Sequence, residues 1–281
     1  MRAALILNPA AGRLSQLATP RTDLEAAIGD AGFTLLPLLD APLDTQWDAA
    51  IAAGAEVIFI AGGDGTLRGF VKRMMQARLV YAPLPGGTMN RVCARLGLPP
   101  EPIDAIARYR PGPTMTLDVA MLNGEPLLYQ SLLGRPARML RYREMQRGEG
   151  MRGWWPLLLA ALRGLFRAPW RDVVVPLGDN RRISGQAAVV TVPEPGTGAP
   201  LSLQVLRPQG PLSRLRQLWR WFHGRLSQDE DVMTLHGDRL LIHGRGRAMR
   251  VSLDGELMAM PPPLRFRLKR GALTLLRPLP A

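Results

Sequence analysis

Cysteine is nearly absent: Cys93 is the one thiol in 281 residues. That excludes an intramolecular disulfide and a cysteine zinc site. With three histidines in the chain, a histidine-rich metal centre is not expected either. Lysine is almost as scarce, Lys72 and Lys269 being the only two, so the basic charge is carried by arginine. Acids are outnumbered, 23 Asp+Glu against 36 Lys+Arg, which leaves a formal net charge of +13. From Pro195 to Gln228 there is no acidic residue. No apolar run approaches the roughly 20 residues of a spanning helix. The opening Met1-Arg-Ala-Ala-Leu-Ile-Leu-Asn8 is too short an apolar stretch for a signal peptide and reads as a first strand. A cytoplasmic protein is expected. Charge of this sign calls for an anionic partner: a phosphate ligand, an acidic membrane surface or nucleic acid. Alternatively it reflects arginine-rich genome composition. No nucleic-acid motif accompanies it, so no nucleic-acid partner is expected.

What the chain does have is glycine in the right places. Val57-Ile-Phe-Ile60 runs into Ala61-Gly-Gly-Asp-Gly-Thr66, after which Leu67, Phe70, Val71 and Met74 recur at helical spacing. This pattern predicts a buried strand, a tight turn and a helix start. Glycines let backbone approach an anion closely, and the first N–H groups of a helix lack internal partners. Asp64 is repulsive to phosphate unless it handles a metal or a hydroxyl. The other reading is an ordinary βα turn. Tyr81-Ala-Pro-Leu-Pro-Gly-Gly-Thr-Met-Asn90 repeats the logic one unit later, with a helix expected from about Asn90. Two such loops at the ends of successive parallel strands would lie side by side, at the edge where open α/β sheets bind ligands.

The rest of the first 113 residues fits that frame. Residues 3–7 form a strand ending in the polar loop Asn8-Pro-Ala-Ala-Gly-Arg13. Thr22 and Glu25 fit a capping box, Phe33 to Leu39 a strand, and helices are expected over Thr45–Ala53 and Pro102–Tyr109. Alternating strands and helices give an α/β domain with a parallel sheet over residues 1–113. Past Pro113 the pattern becomes all-β. Apolar runs at 116–122 and 127–133 flank Asn123-Gly124-Glu125. Short strands follow at 186–192, 201–206, 239–243, 249–253, 264–268 and 273–276, with glycine-rich turns including Asp254-Gly255.

Two helical pieces interrupt this half. One is Trp154 to Phe166, almost wholly apolar and edged by arginines. The other is Leu212 to Arg225, which mixes Leu215, Leu218, Trp219, Trp221 and Phe222 with Arg214, Arg216, Arg220 and Arg225. Tryptophan with arginine on an apolar helix suits a segment lying on anionic lipid, and suits equally a helix packed on a sheet with its arginines in solvent. Trp154, Trp155, Trp219 and Trp221 are the candidate membrane contacts.

Four stretches then carry a resemblance: Asn8-Pro-Ala-Ala-Gly12, Gly62-Gly-Asp-Gly-Thr66, Pro85-Gly-Gly-Thr-Met-Asn90 and Asp254-Gly-Glu256. In this order the chain resembles the diacylglycerol kinase catalytic-domain family, which includes bacterial lipid kinases and sphingosine kinases. The glycine motif is shared with NAD kinases; the first and last stretches favour the lipid-kinase branch. The resemblance implies a Rossmann-like nucleotide-binding domain (1–113), an antiparallel β-sandwich lipid-substrate domain with helical insertions (114–260), and a C-terminal segment (261–281) returning to the first. It implies ATP as phosphoryl donor, Mg2+ as cofactor and a lipid alcohol such as diacylglycerol as acceptor, in a cleft between the domains of a peripherally membrane-associated kinase. Carried over by position, Asn8, Gly12, Gly62, Gly63, Gly65, Thr66, Gly87, Thr88 and Asn90 bind the nucleotide. Asp64, Asp254 and Glu256 are catalytic, with Asp254 as general base. From the residues alone Asp254-Gly255 is also a favoured turn pair. Magnesium ligands are left unassigned, because Arg91 stands where the family usually has Asp, and Pro136 where it often has an acid. The alternative reading is a catalytically weak or inactive nucleotide- and lipid-binding member; an NAD kinase-like activity ranks below it.

Overall fold

The first strand, β1 (Arg2–Leu7), is buried from its second residue onward. Such near-continuous apolar runs belong to parallel strands covered on both faces. The molecule, a computed structural model, is described over residues 1–16, 19–134, 173–177, 181–208, 210–223, 225–244 and 246–280. It forms two compact units. One comprises Met1–Val119, Glu194–Gly198 and Lys269–Ala281; the other comprises Ala120–Pro193 and Ala199–Leu268.

In the first unit β1 is followed by α1 (Pro20–Asp30), β2 (Thr34–Leu35), α2 (Leu43–Ala52), β3 (Val57–Gly62), α3 (Asp64–Ala77), β4 (Val80–Pro85), α4 (Arg91–Arg95) and α5 (Pro102–Ile106). The sheet order is β2-β1-β3-β4, all parallel. Thr274 and Leu275, near the chain's end, pair in parallel beside Val80 and Tyr81 of β4. Leu7 lies opposite Ala61, and Gly62 opposite Pro85, so the loops after β1, β3 and β4 leave the sheet at one edge. Helix α3 buries Leu67, Phe70, Val71 and Met74, the residues whose spacing announced it. Beneath it Trp47 stacks on Phe70 (5.2 Å between centroids) and on Tyr81 (6.1 Å). The Tyr81 hydroxyl donates to the Met74 carbonyl (3.1 Å), and burial pushes its pKa up to about 12.

The second unit is antiparallel. The strands are β5 (Thr114–Leu122, entering from the first unit), β6 (Glu125–Leu127), β7 (Gln130–Gly134), β8 (Val173–Pro176), β9 (Arg182–Gly185), β10 (Ala187–Thr191) and β11 (Leu201–Leu206). Helix α6 (Pro211–Phe222) comes next, then β12 (Val232–Gly237), β13 (Arg239–Gly244), β14 (Met249–Leu253), β15 (Glu256–Met260) and β16 (Leu264–Leu276). One sheet runs β12-β11-β10-β7-β14-β15. A second layer pairs the first half of β16 with β13, then β8 and β9. Leu133, Val173, Leu203, Val251 and Phe266 meet in a shared core. An α/β unit and an all-antiparallel unit are the fold class expected from the sequence.

Several expected elements shift. Helix α1 starts at Pro20, whose missing N–H costs nothing in a first turn. Thr22 therefore lies inside it, and Glu25 pairs with Arg21 (3.1 Å) rather than closing a capping box. The strand expected over 33–39 shrinks to Thr34–Leu35, since Pro37 has no N–H for a ladder. The last helix of the α/β part ends at Ile106, not Tyr109. The run at 127–133 divides into β6 and β7, while 264–268 and 273–276 fuse into β16. Strands β8, β9, β12 and β15 were not foreseen. Trp154, Trp155, Pro136 and the side chain of Trp221 fall outside the described residues. No described helix is long and apolar enough to cross a membrane.

Candidate functional site

Three loops at the carboxyl edge of the parallel sheet pack directly on one another. The Gly86 N–H donates to the Gly62 carbonyl (2.9 Å), and Arg13 N–H donates to the Gly86 carbonyl (2.9 Å). A Cβ on Gly87 would lie 2.5 Å from Gly63 Cα, and one on Gly86 would lie 2.4 Å from Leu14 Cδ1. Gly87 is needed because backbone meets backbone there, and Gly86 because the Leu14 side chain and the Gly62 nitrogen close over it. Gly86 and Leu14 are not among the residues that the resemblance assigns to the nucleotide; for Gly86 the doubled glycine after Pro85 is the available signal.

Side chains then tie the loops. Asn8 Nδ2 donates to Thr66 Oγ1 (2.8 Å), and Asn8 Oδ1 accepts the Ala10 N–H (3.1 Å). Asn90, in the left-handed region at φ 47°, accepts the Gly87 N–H and donates to the Gly87 carbonyl, both at 2.8 Å. A Cβ on Gly12 would stand 3.0 Å from Thr88 Oγ1, so these two also adjoin. The geometry thus brings together Asn8, Gly12, Gly62, Gly63, Gly65, Thr66, Gly87, Thr88 and Asn90. Of these, Gly12, Gly65 and Thr88 are exposed, whereas Gly62, Gly87 and Asn90 are buried supports. Gly63, at the cap position before α3, offers no side-chain cap, so the N–H groups of the first turn point out at the same edge. An uncapped helix start, flanked by a hydroxyl and bare glycine, can receive a phosphate.

Asp64 has a task that the sequence did not show. Its Oδ2 accepts the Arg91 N–H (2.9 Å) and its Oδ1 the Val92 N–H (3.0 Å), capping α4 from outside. Directly below, burial and then the Asp64 charge raise the Cys93 thiol well above its ordinary range, so it stays a neutral core group. Only a water-sized crevice remains beneath the loops, lined by Gly62, Gly63, Asp64, Asn90 and Cys93 among others.

In the second unit Asp254 and Gly255, at φ 50° and 98°, make the turn from β14 to β15. The Asp254 carboxylate is buried and accepts three backbone N–H groups: Leu128 (2.8 Å), Tyr129 (2.9 Å) and Gln130 (3.1 Å). It anchors the start of β7. Glu256 stands exposed at the start of β15. Among the described residues no three His, Cys, Asp or Glu side chains converge as a metal site. Each Asp64 oxygen already accepts a backbone N–H, and the described residues present no converging carboxylates for a protein-held magnesium ion.

Helix α6 is pinned by Asp229. Arg216 binds it through two nitrogens (2.7 and 3.1 Å) and Arg220 through one (3.1 Å). Burial opposes the Asp229 charge, but the Arg216 hydrogen bond, with the Asp231 N–H and the Gln217 amide, outweighs it and holds the carboxyl below its usual range. Away from this anchor Leu212, Leu215 and Trp219 are 83%, 52% and 56% exposed, at helical spacing.

Residues 2–122 match the family model of the diacylglycerol kinase catalytic domain. That stretch holds three of the four motifs behind the family resemblance; Asp254-Gly-Glu256 lies beyond it. A solved structure from Bacillus anthracis str. Sterne, provisionally named a diacylglycerol kinase, superposes with a TM-score of 0.71 at 20% identity, covering 98% of this chain and 97% of its own. A second, a diacylglycerol kinase of the same strain, gives 0.68 at 19% identity over 98% and 96%. These likenesses establish a shared fold. An uncharacterized protein of Synechocystis sp. is 22% identical over 230 residues, 74% of this chain; the chain spans about half (52%) of that relative's length.

Proposed function

We propose that this protein is an ATP-dependent lipid kinase, transferring the γ-phosphate of ATP to the hydroxyl of diacylglycerol or a related lipid alcohol at a membrane surface. The observation that carries the reading is the three-loop cradle, which lies wholly inside the stretch matching the diacylglycerol kinase catalytic domain. In this reading the first-turn N–H groups of α3 and the Thr88 hydroxyl take the phosphates. Asn8 holds Thr66 in place, and Asn90 holds the Gly87 loop. Phosphoryl transfer needs in-line positioning, charge neutralisation and an acceptor for the hydroxyl proton. Asp254, committed to three backbone N–H groups, is a positioning residue, and proton acceptance falls to the exposed Glu256. Magnesium, where bound, supplies charge neutralisation on the phosphates. The exposed stripe of α6, on a chain of net charge +13, suits an anionic lipid surface.

The test is transfer of labelled γ-phosphate from ATP to lipids in mixed micelles: diacylglycerol, monoacylglycerol, ceramide, a sphingoid base and undecaprenol, with NAD as a soluble control. Label in one lipid is the expected outcome and names the acceptor. Label in NAD alone would replace the reading with an NAD kinase. A specific observation favours one other reading. Asp64 and Asp254 both spend their carboxylate oxygens on backbone N–H groups, as a nucleotide- and lipid-binding protein without turnover would tolerate. ATP binding with no labelled product would establish that reading.

A further inference from the structure

The phosphate edge contains one cation that the family pattern does not supply. Arg91 opens α4, its backbone N–H held by Asp64 Oδ2 at 2.9 Å. The residue is exposed, and its guanidinium takes part in no hydrogen bond or ion pair among the described residues. Neighbouring cations are already engaged: Arg13 by Glu101, and Arg95 by Glu194 (3.1 Å). Asp64, which holds the Arg91 backbone, accepts two N–H groups. A triphosphate seated on the three loops would therefore lie next to the residue that opens α4, whose guanidinium has no partner among the described residues. No described cluster offers a metal ion three ligating side chains.

We propose that Arg91 is a nucleotide-binding residue, whose guanidinium takes over on the phosphates the charge neutralisation that a protein-held metal ion would otherwise supply. This rests on the nucleotide reading of the cradle. A planar guanidinium pairs two N–H groups with two phosphate oxygens and stays charged at any working pH. It has no need of converging carboxylates, in keeping with the composition of this edge. The consequence is nucleotide affinity that belongs to the chain itself and survives chelation of divalent ions.

The experiment is calorimetric titration of ADP and ATP into the full chain, once in EDTA and once in excess magnesium, with circular-dichroism melting as the check on folding. The wild type is expected to bind in EDTA. Arg91→Ala is expected to lose about 10- to 100-fold in affinity there, the weight of a charge-assisted pair, with its melting unchanged. Arg91→Lys should fall between the two, and Arg91→Asp should bind only once magnesium is added. Affinity in EDTA left intact by Arg91→Ala overturns the inference while leaving the cradle as a nucleotide site. Wild-type binding that appears only with magnesium overturns it in the same way. A wild type that binds in neither medium removes the nucleotide reading, and this inference with it.

Discussion

Asp254 spends its carboxylate on holding chain to chain. Three N–H groups from consecutive residues converge on two oxygens, and one of them, from Leu128, is buried. Removing the acceptor leaves donors that water reaches poorly, so Asp254→Ala should lower unfolding free energy by about 2–3 kcal/mol. Glu256→Gln, at an exposed position, should stay within about 0.5 kcal/mol of the wild type yet lower lipid phosphorylation about 100-fold. Urea denaturation and the micelle assay separate the two. Wild-type stability in Asp254→Ala would show that the side chain is not the anchor described. Asp64 teaches a related point. Beside a glycine turn an acid invites a metal or proton-transfer reading, yet here it caps a second helix 27 residues away in sequence. Nothing in a linear pattern distinguishes these tasks, since the partner is a backbone N–H that every residue but proline possesses.

At the scale of elements, α3 and α6 differ in how fully their spacing describes them. Leu67, Phe70, Val71 and Met74 of α3 are buried, so periodicity identified both the helix and its inner face. In α6 Leu212, Leu215 and Trp219 follow a helical stripe as well, but that stripe faces outward, because Arg216 and Arg220 turn inward to Asp229. The inversion gives a test of the membrane reading. Leu215→Ser with Trp219→Ser should weaken cosedimentation with phosphatidylserine vesicles about tenfold or more. Helicity should be retained, since the Asp229 anchor is untouched. Unchanged sedimentation would make the stripe an ordinary exposed helix face. The turns were legible for a separate reason: Asn123-Gly124 and Asp254-Gly255 both take positive φ at both positions, which those residue pairs accept at little strain.

For the whole molecule, the first unit is completed by the chain's last residues. Thr274 and Leu275 pair beside β4, Leu273, Leu275 and Leu276 are buried, and the Arg108 guanidinium donates to the Leu279 carbonyl (2.8 Å). Burial of three leucines is worth on the order of 5 kcal/mol, as much as many whole domains have. A chain lacking residues 269–281 should therefore lose its cooperative thermal transition; a transition at the wild-type temperature would contradict this. Local sequence was enough for the alternation of strand and helix, the three glycine loops and the change to β structure after Pro113. Each of these rests on local patterning: hydrophobic period, positive-φ residues and the missing N–H of proline. Long-range packing, by contrast, set the close contact of Gly63 with Gly87, the N–H partners of Asp64 and Asp254, and the continuity of β16 as a single strand. Those outcomes depend on which distant residue stands opposite, and that register is fixed by packing across the sheet rather than by any neighbour in the chain.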